Sequence, residues 1–208
     1  MKANGFTLVE LMIGIVISML CMIMMLMFFK QLSQISITSA QDAEYDAQLK
    51  TGMLVIEKFV QNAGYGSGQL GDIAKGTHYG NPAVFWRYIP DLSVTPITYA
   101  CQGIAEQVVT NGAQKLHRLV LLKKTNCGNS TAISEGTWEE HQPIIALKNT
   151  SDQPVFNYDI AQGDCRPYGI DKNNVGFRQL TLTAPRQHGT ALGQNIQTTV
   201  CLNNIKVV

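Results

Sequence analysis

The chain opens with a long apolar run. Between Phe6 and Phe29, 20 of 24 residues are apolar, and Glu10 is the one charged residue. As a helix rising about 1.5 Å per residue, this run reaches about 36 Å, which exceeds the roughly 30 Å hydrocarbon core of a bilayer. A secretory signal peptide has a shorter apolar stretch that ends in small residues, whereas this run ends in Met-Phe-Phe-Lys-Gln. We therefore expect residues 6–29 to form a retained transmembrane helix.

The next segment, residues 30–64, is polar with one apolar stripe. Apolar side chains recur there at Leu49, Met53, Ile56 and Val60. Their spacing of three or four residues places them on one face of a helix. The chain has no proline before residue 82, and glycines at 64, 66 and 68 favour a helix end. We expect one amphipathic helix that continues from the membrane into the ectodomain and ends in this glycine-rich turn.

Residues 65–208 show the pattern of a β-rich ectodomain. Segments rich in β-branched and aromatic residues alternate there with Gly, Pro, Asn and Asp. The candidate strands are 83–89, 97–101, 106–110, 116–123, 143–148, 155–160, 176–183 and 196–203. The gaps between them are too short for helical crossovers, so antiparallel pairing is expected. The predicted fold is α+β, with one long N-terminal helix packed on an antiparallel β-sheet.

Composition narrows the range of functions. The chain has 208 residues, which excludes a large multidomain enzyme. Lys and Arg number 16 and Asp and Glu number 15, so the net charge gives no general attraction to nucleic acid or to an anionic membrane. No G-x-S-x-G motif occurs, and the four histidines are not spaced as metal ligands. We expect no enzymatic activity, no metal and no cofactor.

The chain has five cysteines, one in the apolar run and four in the expected ectodomain. Cys21 lies in the apolar run, while Cys101, Cys127, Cys165 and Cys201 lie in the ectodomain. Four cysteines without a C-x-x-C motif indicate two structural disulfides in an oxidising compartment. Three pairings are open. The interpretation favoured here joins Cys101 with Cys127 and Cys165 with Cys201, because each pair connects neighbouring segments.

One basic cluster is a candidate for contact with DNA or an anionic surface. It consists of Lys115, His117, Arg118, Lys123 and Lys124. If residues 116–123 form a strand, alternation divides these side chains between two faces. We therefore favour a solvated sheet edge, where lysines prevent pairing with another strand. Trp86, Tyr88 and Trp138 are expected to be buried sheet residues.

The first ten residues carry the most specific motif. A short leader with Lys2 and Gly5 precedes Phe6, and Glu10 follows at a fixed offset before the apolar helix. This arrangement resembles the processing signal of type IV pilins and type II secretion pseudopilins. The resemblance implies that residues 1–5 are a leader, that a prepilin peptidase cuts between Gly5 and Phe6, and that Phe6 becomes N-methylated.

Glu10 is an unusual residue for a membrane helix. A carboxylate at the centre of such a helix costs at least about 2.5 kcal/mol on insertion scales, and less near the interface. The resemblance implies that Glu10 pairs with the N-terminal amine of a neighbouring subunit and so sets subunit register during assembly. The alternative is a carboxylate that reaches the lipid headgroups at the interface.

Two further segments resemble the PilW group of minor pilins and the related J-type pseudopilins. They are the helix exit, residues 62–66, and the late segment Ile196–Asn204. The resemblance implies a minor pilin that helps initiate pilus assembly and is incorporated at or near the tip, supporting twitching motility, adhesion or DNA uptake. A J-type pseudopilin of a type II secretion system is the alternative. A signal-anchored periplasmic enzyme or receptor is a third interpretation.

The resemblance also implies partners and a location. The N-terminal helix would contact other minor and major pilins, the prepilin peptidase and an inner-membrane assembly platform. A tip adhesin is a further candidate partner, and DNA contact is left open. The chain would cross the bacterial inner membrane once with its ectodomain in the periplasm, and would then enter the pilus filament at the cell surface.

Overall fold

The structure is a computed structural model and describes residues 7–112, 114–125, 127–129, 132–148, 153–163, 177–186 and 195–206. The chain divides into two compact units, Met1–Glu44 and Tyr45–Val208. The helix α1 spans Leu8–Val60, and antiparallel strands follow it. The expected α+β fold is confirmed, with one long apolar helix at the N-terminus and its later turns packed on sheet.

The strands described in the second unit form two antiparallel sheets. The first sheet has the order β1-β2-β3-β4-β5, with strands β1 (Ile73–His78), β2 (Asn81–Tyr88), β3 (Ala100–Asn111), β4 (Gln114–Lys124) and β5 (Glu139–Lys148). The second has the order β6-β7-β8, with strands β6 (Asn157–Gly163), β7 (Phe177–Pro185) and β8 (Asn195–Lys206). One short 3-10 turn, Leu70–Asp72, precedes β1.

The apolar stripe predicted for α1 is its buried face in the second unit. Leu49, Met53, Ile56 and Val60 are all buried, as is Tyr45 one turn earlier. They belong to one core that includes Trp86, Ile104, Leu119, Leu180 and Leu202 from both sheets. This helical face is therefore the element around which the two sheets pack.

Glycine permits a close approach at one point of this face. Gly52 is buried, and a Cβ at that position would clash with the Ile145 side chain of β5. The absence of a side chain thus brings the α1 backbone next to β5.

The glycine-rich end of α1 is confirmed. Gly64, Gly66 and Gly68 have φ values of +74°, +83° and +68°, a region that glycine adopts readily. The turn pairs with the end of β2: Gly64 N donates to Arg87 O, and Ile89 N donates to Tyr65 O, both at 2.9 Å. The chain therefore leaves the helix directly along the first sheet.

Two strand predictions are corrected by the structure. Segment Ile73–His78 is strand β1. The sequence did not predict this strand, because Lys75 and Gly76 interrupt its apolar pattern. It forms by pairing with β2 through the Tyr79-Gly80 turn. Segments 97–101 and 106–110 are not two strands, because Ala100–Asn111 is the single strand β3. Gly103, between them, packs against Phe85, and its lack of a side chain permits the contact.

Candidate functional site

The N-terminal helix begins with a capping box. Glu10 Oε2 accepts hydrogen bonds from Thr7 N and Thr7 Oγ1, both at 2.9 Å, while Glu10 N donates to Thr7 Oγ1 at 3.4 Å. This reciprocal arrangement satisfies amides that a helix start leaves without partners. The Glu10 carboxylate therefore has a local role at the start of the helix that its position in the apolar run did not predict.

The first unit presents its apolar residues outward. Every residue from Thr7 to Gln41 is exposed, and Met25 and Phe29 are 75% and 71% exposed. Among the described helices, α1 is long and apolar enough to cross a membrane, with an 18-residue window of mean hydropathy 2.7. Such a surface requires lipid or other apolar helices around it, because its exposure to water is unfavourable.

Comparison with known families gives one match, at this end of the chain. Residues 1–26 match the family model of the prokaryotic N-terminal methylation motif. The match supports a type IV pilin-like protein. No curated protein and no solved structure matches the chain.

The motif and the apolar helix are consistent with a membrane-anchored, single-pass protein. They also imply interaction with other pilins and with a prepilin peptidase. The predicted cleavage and methylation positions, Gly5 and Phe6, lie outside the described residues, so their roles stay predictions. Glu10 is placed beside Thr7 in the first turn, and its role in register stays a prediction.

The helix exit and the last strand are in contact. Asn204 Nδ2 on β8 donates to Gln61 O at 2.9 Å and to Ala63 O at 3.3 Å, so it holds the turn that directly follows α1. Next to it, a Cβ on Gly64 would clash with the Ile205 side chain. The two segments that resemble the PilW group, the helix exit and the last strand, are thus in direct contact.

One ectodomain disulfide is described. Cys101, at the start of β3, is bonded to Cys127, with their Cα atoms 5.7 Å apart. Cys21 is free and exposed in the apolar segment. Cys165 lies outside the described residues, so its pairing with Cys201 of β8 stays a prediction.

The disulfide holds a loop over the outer face of the first sheet. Loop residues Ile133 and Trp138 are buried there, and the Trp138 ring lies 4.5 Å from the Phe85 ring, centroid to centroid. Lys124 Nζ donates to Glu135 O at 2.6 Å and lies 5.8 Å from the Trp138 ring centroid. The expected burial of Trp86 and Trp138 is confirmed, while Tyr88 is partly buried.

The interpretation of the basic cluster as a sheet edge is wrong. Strand β4, which carries it, pairs with β3 on one side and β5 on the other. His117 is fully buried, and Lys124 is engaged by the loop. The cluster therefore does not form one basic surface, because sheet pairing and burial separate its members.

A buried carboxylate lies where the two sheets meet. Glu106 of β3 is within 2.5 Å of His117 Nδ1, and its two oxygens accept Val155 N and Phe156 N at 2.9 Å each. Burial, followed by the nearby Glu106 carboxylate, raises the pKa of Tyr158 well above its ordinary value of 10.0. Glu106 thus fixes the backbone that leads into β6.

A buried ion pair, Arg87 with Asp72, fixes the helix exit. Arg87 Nε donates to Asp72 Oδ1 at 2.6 Å, and Arg87 Nη1 donates to Gly128 O at 3.0 Å. Asp72 also accepts Gln69 N at 2.9 Å and the Ser67 hydroxyl. This pair connects the turn after α1, strand β2 and the residue next to Cys127.

The sequence contained a recognisable signal for the capping box at the start of α1. Thr7-x-x-Glu10 before an apolar run is the signature of a capping box. Glu106 had no comparable signal, because its backbone partners lie 49 and 50 residues away in the chain. Among the described residues, no group of three or more His, Cys, Asp or Glu is placed to hold a metal ion.

Proposed function

We propose that this protein is a minor type IV pilin resembling the PilW group, that it helps initiate pilus assembly, and that it is incorporated at or near the pilus tip. The observation that carries the proposal is the methylation motif over residues 1–26, which includes most of the exposed apolar part of α1. The role would be structural, in support of twitching motility, adhesion or DNA uptake, without chemistry on a substrate.

The apolar helix supports a subunit that resides first in the inner membrane and later in the filament core. After removal of residues 1–5, the helix would remain in the inner membrane with the ectodomain in the periplasm. It would then move into a bundle of subunit helices at the filament core. The apolar surface would exchange lipid for neighbouring helices, so it would not enter water, and the hydrophobic cost of extraction would be small.

Glu10 would act twice in this process. In the single chain its carboxylate accepts two hydrogen bonds from Thr7. In the assembly it would pair with the methylated amine of Phe6 on a neighbouring subunit and set subunit register. A carboxylate oxygen has more than one lone pair, so the capping bonds and the amine contact are compatible.

A J-type minor pseudopilin of a type II secretion system is the second candidate. The family match supports this candidate as well as the first, because the match ends at residue 26 and covers none of the ectodomain. Both candidates imply the same processing and the same helix packing. They differ in the machine that the subunit joins.

Peptide and intact mass spectrometry of the protein from its native membrane tests the processing step. We expect a chain that starts at N-methylated Phe6. A matched pair of variants sharpens the test: Gly5→Val should leave the leader attached, whereas Gly14→Val, a change of the same size farther along the apolar helix and away from the predicted cleavage position, should be processed normally. A native chain that starts at Met1, or one cut after Phe29, would overturn the proposal.

Gene deletion with complementation distinguishes the two machines. For a minor pilin, loss of the gene should reduce surface filaments and twitching, and leave exoprotein secretion unchanged. Complementation with Glu10→Ala should fail, while Thr7→Ala, which removes only the two hydrogen bonds of the Thr7 hydroxyl, should restore most filaments. Normal filaments with loss of secreted enzymes would replace the pilin assignment with the pseudopilin.

A further inference from the structure

The outer edge of β8 differs from the other outer edges described in the second unit. β8 pairs with β7, and no described strand pairs with its other side. From Asn195 to Ile205 the strand carries neither a charged residue nor a proline. An edge strand presents unpaired N–H and C=O groups, which are a template for a further strand.

The other outer edges are protected. β5 carries Glu139, Glu140 and Pro143, and its pairing with β4 has two register shifts. The edges of β1 and β6 carry Lys75 and Asp159, whose Nζ and Oδ1 atoms form an ion pair at 2.9 Å. Charges, prolines and bulges are the usual means by which proteins prevent edge-to-edge pairing. From Asn195 to Leu202, β8 has none of them; the register shift in its pairing with β7 lies beyond Leu202.

The side chains on the two faces of β8 determine which kind of added strand could pair with its edge. Val200 is buried in the core and Ile196 packs against it, so this face continues the hydrophobic interior up to the edge. On the other face Gln197 and Thr199 are exposed, and the Thr199 hydroxyl lies 3.2 Å from that of Thr181. An added strand would therefore have apolar residues on one side and hydroxyl or amide residues on the other.

We propose that residues Asn195–Val200 bind an extended, uncharged segment of another protein by strand addition. Backbone hydrogen bonds would supply the affinity, and the alternation of apolar and neutral polar residues would supply the selectivity. Two copies of this chain anchored in one membrane are restricted in the orientations in which their edges can meet, whereas a separate segment is not. This binding site is independent of the function proposed above.

A synthetic peptide provides the probe. It has the sequence Asn-Ile-Gln-Thr-Thr-Val-Ser-Leu-Asn, which reproduces the alternation of β8 itself without a thiol. The matched control has the same side chains but N-methyl groups on alternate amides, which remove the backbone donors. Binding of each labelled peptide to the full chain in detergent is measured by fluorescence anisotropy, and hydrogen exchange locates the protected amides.

Variants of the chain separate the edge from the rest of the sheet. Gln197→Lys and Thr199→Lys place a charge at the edge. Thr183→Lys and Thr181→Lys place the same charge on the same face, at the β7 positions directly opposite. We expect at least tenfold weaker peptide binding for the two edge variants and less than a twofold change for the two β7 variants.

The proposal requires that the unmodified peptide bind at least tenfold more tightly than its N-methylated form and protect the amides of residues 195–200. Absence of binding, equal binding of both peptides or protection elsewhere would overturn it. Concentration-dependent self-association of the chain that Gln197→Lys abolishes would also overturn it, because the edge would then pair with a second copy.

Discussion

His117 Nδ1 lies 2.5 Å from Glu106 Oε1, and both side chains are fully buried. The pair joins two adjacent strands, β3 and β4, while the same carboxylate accepts two amides that precede β6. A buried carboxylate is tolerated when its oxygens are paired in this way, and the loss of one partner leaves an uncompensated polar group. Glu106 therefore connects the five-stranded sheet to the start of the three-stranded sheet.

Replacing this carboxylate should destabilise the ectodomain strongly. In Glu106→Gln, one of the two accepting oxygens becomes an NH₂ group, which meets the N–H of Val155 or Phe156 donor to donor. We expect the free energy of unfolding to fall by about 3–5 kcal/mol, measured by denaturant unfolding of the full chain in detergent. The exposed Glu139→Gln on β5 is the control and should change it by less than about 0.5 kcal/mol. Equal effects of the two changes would contradict this account.

His78 should titrate below the usual range for histidine. Burial lowers its pKa from the ordinary value of 6.5, and the Glu140 carboxylate raises it in part. NMR titration of the ring should therefore give a midpoint below 6.5, and Glu140→Gln should lower it further. A midpoint at or above 6.5 would show that the ring is better solvated than the structure indicates.

The lowered pKa of His78 makes the free energy of unfolding depend on pH. The unfolded chain binds a proton at His78 more strongly than the folded chain does, so the contribution of this site is complete above pH 6.5. It is lost as the pH falls from 6.5 through the folded pKa. His78→Gln should reduce the pH dependence of unfolding in that window.

Removal of the described disulfide should lower stability by an entropic mechanism. The bond joins residues separated by 26 positions, and closing a loop of this size is worth about 3–4 kcal/mol in the chain-entropy model. The double change Cys101→Ala and Cys127→Ala should show that loss in denaturant unfolding. Cys21→Ala, which removes a free thiol, is the control. An unchanged midpoint in the double variant would mean that the loop is held by packing alone.

The glycine at the helix exit should be more sensitive than a hairpin glycine with a similar backbone. Gly64 and Gly80 have φ values of +74° and +82°, but only Gly64 faces a clash, with Ile205. Gly80→Ala should cost about 1–2 kcal/mol from the backbone alone. Gly64→Ala should cost about 1–3 kcal/mol more, because the core must also shift. Thermal unfolding of the two variants compares them, and equal losses would argue against the contact with β8.

Local patterns in the sequence were sufficient to predict the helix and most of the strands. The stripe at Leu49, Met53, Ile56 and Val60 and the glycines after it follow from a period of 3.6 residues and from backbone sterics, which act over a few residues. The apolar run to Phe29 follows from composition alone. These features are short-range, so the sequence by itself determined α1, its exit turn, its membrane-compatible segment and the β-rich character of the rest.

Only the tertiary structure decided which polar groups are buried and which edges stay open. His117 belongs to a basic cluster in the sequence, but pairing of β4 on both sides places it in the core beside Glu106. β1 exists because β2 supplies its hydrogen bonds, and Asn204 binds the turn after α1 from more than 140 residues away in the chain. Partners of this kind are brought together by sheet order and register, which depend on the whole chain, so no local period encodes them.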